Sequence, residues 1–195
     1  MNHRPYITAI TGGIGSGKSV VSRITAAMGY PVYDCDSQAK TLMDTSEEIK
    51  LALIREIDEG CVTDGHIDRA TLSEIVFNNS QKLASLNSIV HGAVREHICH
   101  WIDGCRKAGA QRCFIETAIL YESGLDKMVD EVWRIEAPVD MRIGRVMKRS
   151  GISREAVLSR IASQDSFVPT ALHPLTHIIV NDGDQPLLPQ IEKLL

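Results

Sequence analysis

The sequence predicts an α/β fold in three layers: a five-stranded, mostly parallel sheet covered by helices on both faces, with a long helical insertion in the middle of the chain. Three observations predict it. Short β-rich apolar runs alternate with stretches of helical periodicity. A glycine-rich turn joins the first such strand directly to the first helix, and residues 37–106 carry helical patterns without a convincing strand.

Taken in order, YITAIT at 6–11 is the first strand. From Ser19 onward Val20, Val21, Ile24, Ala27 and Met28 recur at helical spacing. The run stops at Gly29, the residue type favoured just past a helix end. A short strand at 31–33 (PVY) then runs into Asp34-Cys35-Asp36. Two carboxylates therefore stand at the C-terminal end of a strand, the edge where open α/β sheets bind ligands. In the insertion, Ile49, Leu53, Ile54 and Ile57, and later Leu83, Leu86, Val90, Val94 and Ile98, mark successive amphipathic helices. N-caps are expected at Ser46, Asp68 and Ser80, and a turn at Asp64-Gly65. Strands resume with RCFIE at 112–116 and EVWRIEA at 131–137, a cation-rich helical stretch covers 141–164, and HIIV at 177–180 is the fifth strand. With no repeat, linker or low-complexity tract, residues 1–195 are expected to form one domain, with 37–106 and 141–164 as subregions.

Composition excludes several classes. The balance of 21 Lys+Arg against 25 Asp+Glu leaves a net charge of −4, so bulk charge attracts no polyanion and an anionic ligand must be met by a local cluster. An aromatic share of 5% argues against a base-stacking surface, so no nucleic-acid partner is expected. No apolar run approaches the roughly 20 residues of a membrane span, and the chain enters its first strand without a leader, so a cytosolic protein without a membrane partner is expected. Five scattered cysteines without a CxxC pair read as reduced thiols. The densest ligand-type cluster, HICHWIDGC, holds His97, Cys99, His100 and Cys105, but on a helix Cys99 is turned about 200° from His97, so these side chains diverge rather than share a metal.

The local cluster lies at 12–19. Gly12-x-x-x-x-Gly17-Lys18-Ser19 has the spacing of a P-loop, in which glycines let consecutive backbone N–H groups face phosphate oxygens without Cβ obstruction. Gly13, Ile14, Gly15, Ser16 and Gly17 form the cradle, Lys18 reaches the β and γ phosphates of ATP, and the Ser19 hydroxyl is a ligand for Mg²⁺. The start of the following helix adds partial positive charge. The bland alternative is a chance glycine turn, which the flanking strand and helix disfavour. The motif leaves the phosphate acceptor open. The DxxG and NKxD elements of regulatory GTPases and the LSGGQ of transporter ATPases are missing, which leaves a small-molecule kinase.

Eight segments, in order, resemble the dephospho-coenzyme A kinase family. They are TGGIGSGKS, PVYDCDSQAK, DGHIDRATLSEIVFNN, LNSIVH, FIETAILYESGL, APVDMRIGRVMKR, RIASQ and HIIVNDG. Three positions depart from the family pattern: Gly92 and Ala118 stand where prolines are usual, and Glu116 where aspartate is common. The resemblance implies a P-loop kinase that uses ATP and Mg²⁺ to phosphorylate the ribose 3′-hydroxyl of dephospho-CoA, with 37–106 as acceptor-binding region and 141–164 as lid.

Transfer to a sugar hydroxyl needs alignment, charge stabilisation and a carboxylate that accepts the proton. Asp34 and Asp36, two apart, read as that carboxylate and its neighbour on acceptor or metal, or as a polar turn; the resemblance favours Asp36 as base and leaves Asp34 as a substrate contact. Arg145 and Arg149, four apart on a helix, share a face that clamps phosphate or is simply solvated; the resemblance favours Arg145 as catalytic. Asn181 offers donor and acceptor to an adenine edge, or is a turn residue. Arg69, His91 and Glu116 are acceptor contacts by resemblance alone. Ile119 and Leu120 match a pocket segment of the family but are ordinary core by periodicity.

Overall fold

The computed structural model describes residues 4–167 and 169–195. In chain order the elements are β1 (Tyr6–Thr11), α1 (Lys18–Ala27), β2 (Val32–Asp34), α2 (Cys35–Thr45), α3 (Glu47–Glu56), β3 (Val62–Thr63), β4 (His66–Ile67), α4 (Arg69–Phe77), α5 (Ser80–Lys107), β5 (Arg112–Glu116), β6 (Glu131–Glu136), α6 (Val139–Ser150), α7 (Arg154–Asp165), β7 (Thr176–Val180) and α8 (Leu187–Glu192). They fall into two compact units, one from Met1–Tyr33 with Ile102–Leu195 and one from Asp34–Trp101.

The first unit carries the expected five-stranded sheet, in the order β2-β5-β1-β6-β7. β1 pairs in parallel with both β5 and β6, and β6 pairs in parallel with β7. β1 is therefore central, and its residues 7–11 are all buried. Ile10, Phe114, Trp133, Ile135 and Ile179 form one core with Val21 and Ile191. Within it the Phe114 and Trp133 rings lie 5.0 Å apart.

At the start of β6 the sheet buries a carboxylate. Glu131, 4% exposed, accepts from Trp133 Nε1 (3.0 Å) and Thr8 Oγ1 (3.2 Å) and pairs with Arg112 Nη1 at 3.1 Å. The same Arg112 nitrogen donates to the carbonyl of Leu194, which ties the C-terminal segment to the sheet. A buried ion pair adds little net stability, but removing one partner strands the others. Glu131→Ala is expected to lower unfolding free energy by about 3–5 kcal/mol, and Glu131→Gln, which keeps an acceptor for Trp133, by less. Urea denaturation measures both, and a loss under about 1 kcal/mol for the alanine variant would contradict the network's role.

In the second unit, α2 to α4 and α5 as far as Trp101 pack around Ile49, Leu53, Ile57, Cys61, Leu72 and Val76. Caps define the helix starts: Ser46 accepts from the Ile49 N–H and Asp68 from those of Ala70 and Thr71, as their sequence positions suggest. Ser80 is not the cap of α5. Asn79 takes that role, accepting from the N–H groups of Gln81 and Lys82. The insertion also contains strand: β3 and β4 form a two-residue antiparallel ribbon around Asp64-Gly65, both at positive φ. Two residues are too few for periodicity to register. Gly92 lies inside α5, where a Cβ would meet nothing within 4 Å, so the loss of the family proline leaves a continuous helix.

The expected helical stretch at 141–164 is a pair, α6 and α7, broken at Gly151 (φ 65°) and packed through Ile143, Val146, Val157 and Ile161. The C-terminal half of α5 is long enough to hold the cysteine cluster, yet no group of three His, Cys, Asp or Glu among the described residues is placed to hold a metal. Cys105 and Cys113 are buried free thiols. Burial pushes the Cys113 thiol up to about 12, with Cys105 adding to it, so the thiol stays protonated and unreactive at neutral pH.

Candidate active site

The turn between β1 and α1 adopts backbone that only glycine takes readily. Gly12, Gly15 and Gly17 have φ of 146°, 78° and 102°. Close approach excludes side chains as well: a Cβ on Gly12 would lie 2.4 Å from the Ile135 carbonyl oxygen, and on Gly17 2.1 Å from Asn181 Nδ2. Gly17 caps α1 without a side chain, and no acidic residue stands in the first turn, so the helix presents its N–H groups and partial positive charge uncompensated. Lys18 Nζ folds back on the loop, donating to the carbonyls of Gly12 (2.9 Å) and Gly13 (3.4 Å). Ser19, second in α1, is exposed, and its hydroxyl makes no hydrogen bond among the described residues.

The α6–α7 pair grips this loop. Ile14 packs against the apolar core between the two helices. Its N–H donates to Gln164 Oε1 at 2.7 Å, and its carbonyl accepts from Arg142 Nε at 2.9 Å. Arg145 donates through Nη1 to the carbonyls of Gly15 and Ser16, and through Nη2 to Asn181 Oδ1 at 3.2 Å. Asn181 Nδ2 closes the ring on the Ser16 carbonyl at 2.7 Å. Asn181 is itself held by its N–H on the Glu136 carbonyl, just past the point where the Gln190 side chain bonds both the N–H and carbonyl of Val180. Beside the loop, Gly12, Gly13, Ser16, Arg134, Glu136 and Arg142 are among the residues lining a cleft of about 430 Å³.

Of the sequence-derived residues, the cradle at 13–17, Lys18, Arg145 and Asn181 thus meet in one place. Both amide atoms of Asn181 are engaged within the protein, in the ring that supports Ser16 and Arg145. Arg149 is exposed in the last turn of α6 and makes no hydrogen bond or ion pair among the described residues. Glu116, half-buried, ends β5 in register with Ile10. Of the pocket-segment residues, Leu120 is buried and Ile119 half-buried.

In the second unit, Asp34 caps α2, its two oxygens accepting from the Ser37 N–H (3.1 Å) and hydroxyl (2.7 Å). Asp36, in the first turn of α2, is exposed and makes no hydrogen bond or ion pair among the described residues. Arg69 pairs with Asp44 at 2.7 Å. His91 is half-buried in α5, and burial, with the Arg95 charge adding to it, holds its pKa below the usual histidine value. Sequence reasoning missed Arg142 and the roles of Gln164 and Gln190. Arg142 stands three before Arg145 and so shares its helix face, a spacing that could have found it; no local pattern marks Gln190.

A parallel sheet whose central strand runs into this glycine cradle, overhung by a cationic helix pair, defines a P-loop kinase. The Dephospho-CoA kinase family model matches residues 6–186, and the chain belongs to the dephospho-CoA kinase family. Relatives bear this out along most of the length. A Dephospho-CoA kinase of Porphyromonas gingivalis is 38% identical over 186 residues, covering 95% of this chain and 91% of its own. One of Corynebacterium diphtheriae is 33% identical over 193 residues, covering 97% and 94%. Among solved structures, a Thermus thermophilus protein aligns with TM-score 0.75 at 30% identity over 98% of this chain and 95% of its own. The Dephospho-CoA kinase from Campylobacter jejuni aligns at 0.65 and 25% identity, over 96% and 94%.

Proposed function

We propose that this chain transfers the γ-phosphate of ATP to the ribose 3′-hydroxyl of dephospho-CoA, giving ADP and CoA, the last step of CoA biosynthesis. The family match over residues 6–186 carries this reading. In it, residues 1–195 act as one kinase domain, with 37–106 receiving the acceptor and 141–164 acting as lid. The substrates are small molecules, and the reaction involves neither nucleic acid nor membrane and takes place in the cytoplasm; among the described residues no helix is long and apolar enough to cross a bilayer.

The 3′-hydroxyl oxygen attacks the γ-phosphorus while the bond to the oxygen bridging to the β-phosphate breaks, and ADP leaves with that electron pair. The hydroxyl proton passes to Asp36. The free carboxylate of Asp36 supports this choice over Asp34, whose oxygens are both taken by Ser37. Backbone N–H groups of the loop, other than those of Ile14 and Ser16 that bond Gln164 and the Gly13 carbonyl, bind the phosphates. Lys18 leaves its carbonyl partners for the β and γ oxygens, and Arg145 stabilises the charge that develops. Arg149 adds a cation from the lid, Asn181 holds the adenine side of the loop, and Arg69, His91 and Glu116 contact the acceptor with Asp34. The unpartnered Ser19 hydroxyl suits a Mg²⁺ ligand, and the ion when bound neutralises phosphate charge.

ADP release with ATP in excess tests the reading. Turnover is expected with dephospho-CoA, and at most a trace with water, nucleosides or sugar acids as acceptors. Equal turnover without dephospho-CoA, or faster turnover with another acceptor, overturns it.

A further inference from the structure

Among the described residues, one cation at the cradle has a buried donor without a hydrogen-bond partner. Arg142 uses Nε on the Ile14 carbonyl, but its Nη2 is buried and has no hydrogen-bond partner. That nitrogen lies against Gly13, where an added Cβ would come within 2.2 Å of it, and the Arg142 backbone presses on Gly15 in the same way. Lys18 Nζ meets Gly13 from its carbonyl side. Two cations therefore flank a single residue of the loop. Ser16, only 1% exposed, also has a buried hydroxyl without a partner. Arg142, Gly13 and Ser16 all line the cleft beside the loop.

A guanidinium N–H left unpaired in the interior costs stability, and the cost persists only when something recovers it. No carboxylate among the described residues recovers it: Glu136, which shares the cleft, is paired with Arg134, and Asp165 lines the same wall without bonding Arg142. The position is also over-determined. Gln164 fixes the Ile14 N–H, Arg142 fixes the Ile14 carbonyl, and Ile14 packs between α6 and α7, so a shift of the helix pair carries Arg142 and the tip of the cradle together.

We propose that Arg142 is a further phosphate-binding residue of this site, its spare Nη2 donating to an oxygen of the terminal phosphate of ATP across Gly13 from Lys18. The proposal rests on the reading of the loop as an ATP cradle but not on the identity of the acceptor. A planar guanidinium can hold the loop carbonyl with one edge while another nitrogen meets the anion, which a lysine ammonium on the same helix cannot do at both points.

Binding of nucleotide alone tests it, by calorimetry with ADP and with a non-hydrolysable β,γ-imido analogue of ATP, in the presence of Mg²⁺. Arg142→Gln keeps an amide donor for the Ile14 carbonyl without the charge, and Arg142→Lys keeps the charge without the second donor. Both substitutions leave helix propensity nearly unchanged, and thermal unfolding verifies the fold, so each variant backs up the other. For Arg142→Gln, affinity for the analogue is expected to fall about 10- to 100-fold while that for ADP changes less than about threefold. Arg142→Lys is expected to fall in between. Equal weakening of both nucleotides would make Arg142 a support of the loop only, and no weakening of either would remove it from the site; both results overturn the proposal. If the unmutated chain binds neither nucleotide, the cradle reading falls and Arg142 with it. If it binds both but releases no ADP with dephospho-CoA, only the acceptor assignment falls.

Discussion

Lys18→Ala is expected to reduce ADP release by about 10²–10³-fold, the scale on which removing one preorganised charge from a transition state acts. The side chain is half-buried and donates to two carbonyls of its own loop. Those carbonyls lose a donor in the variant, yet the loop keeps its glycine backbone, the Arg145–Asn181 ring and the grip on Ile14. Thermal unfolding should therefore shift by no more than a few degrees. Arginine in the same place is not a rescue, because a fork of donors replaces a compact ammonium in a space closed by Gly12 and Gly13. Near-normal turnover in a folded alanine variant would remove the lysine from the chemistry and with it the proposed role of the loop.

Asp36→Asn keeps the shape and reach of the side chain and removes its charge and basicity. If Asp36 takes the hydroxyl proton, turnover falls by about 10²–10⁴-fold while ATP binding is unchanged, since the phosphate cradle is untouched. Asp34→Asn is the matched comparison. Asparagine caps helices as well as aspartate, so the start of α2 survives and a much smaller loss is expected. Raising Mg²⁺ separates the alternatives: recovery of the Asp36→Asn rate at high magnesium, with a comparable loss in Asp34→Asn, would turn the carboxylates into metal contacts. Full activity of Asp36→Asn without added magnesium would return both to the turn that ends β2.

Much of this was readable residue by residue. The cradle was legible because its requirement is local: three glycines at positive φ and a lysine-serine pair at a helix start leave a spacing that no ordinary turn needs. Three of the five strands were legible because each is an apolar run buried on both sides. The edge strands β2 and β7, only partly buried, were legible as short β-rich runs next to turn or helix signals. The caps at Ser46 and Asp68 were legible for the same reason, since a cap reaches only two or three residues along the chain. Asn79 displaced Ser80 because both residues can cap, and which one does depends on the backbone path that enters α5.

Sequence by itself determined the class of the protein and the phosphate end of its chemistry, since backbone conformation and short spacings decide those. Tertiary structure alone decided what each charged side chain does. Arg142 and Gln164 stand 22 residues apart in sequence and meet on the two sides of the Ile14 peptide group. Arg145, 36 residues before Asn181, finds its partner there and on carbonyls 129 and 130 residues upstream. The same arginine helix would have read alike had it faced solvent. Its orientation follows from burying Ile143 and Val146 against Val157 and Ile161, which turns the arginines toward the loop, and no periodicity within α6 specifies what lies on that side.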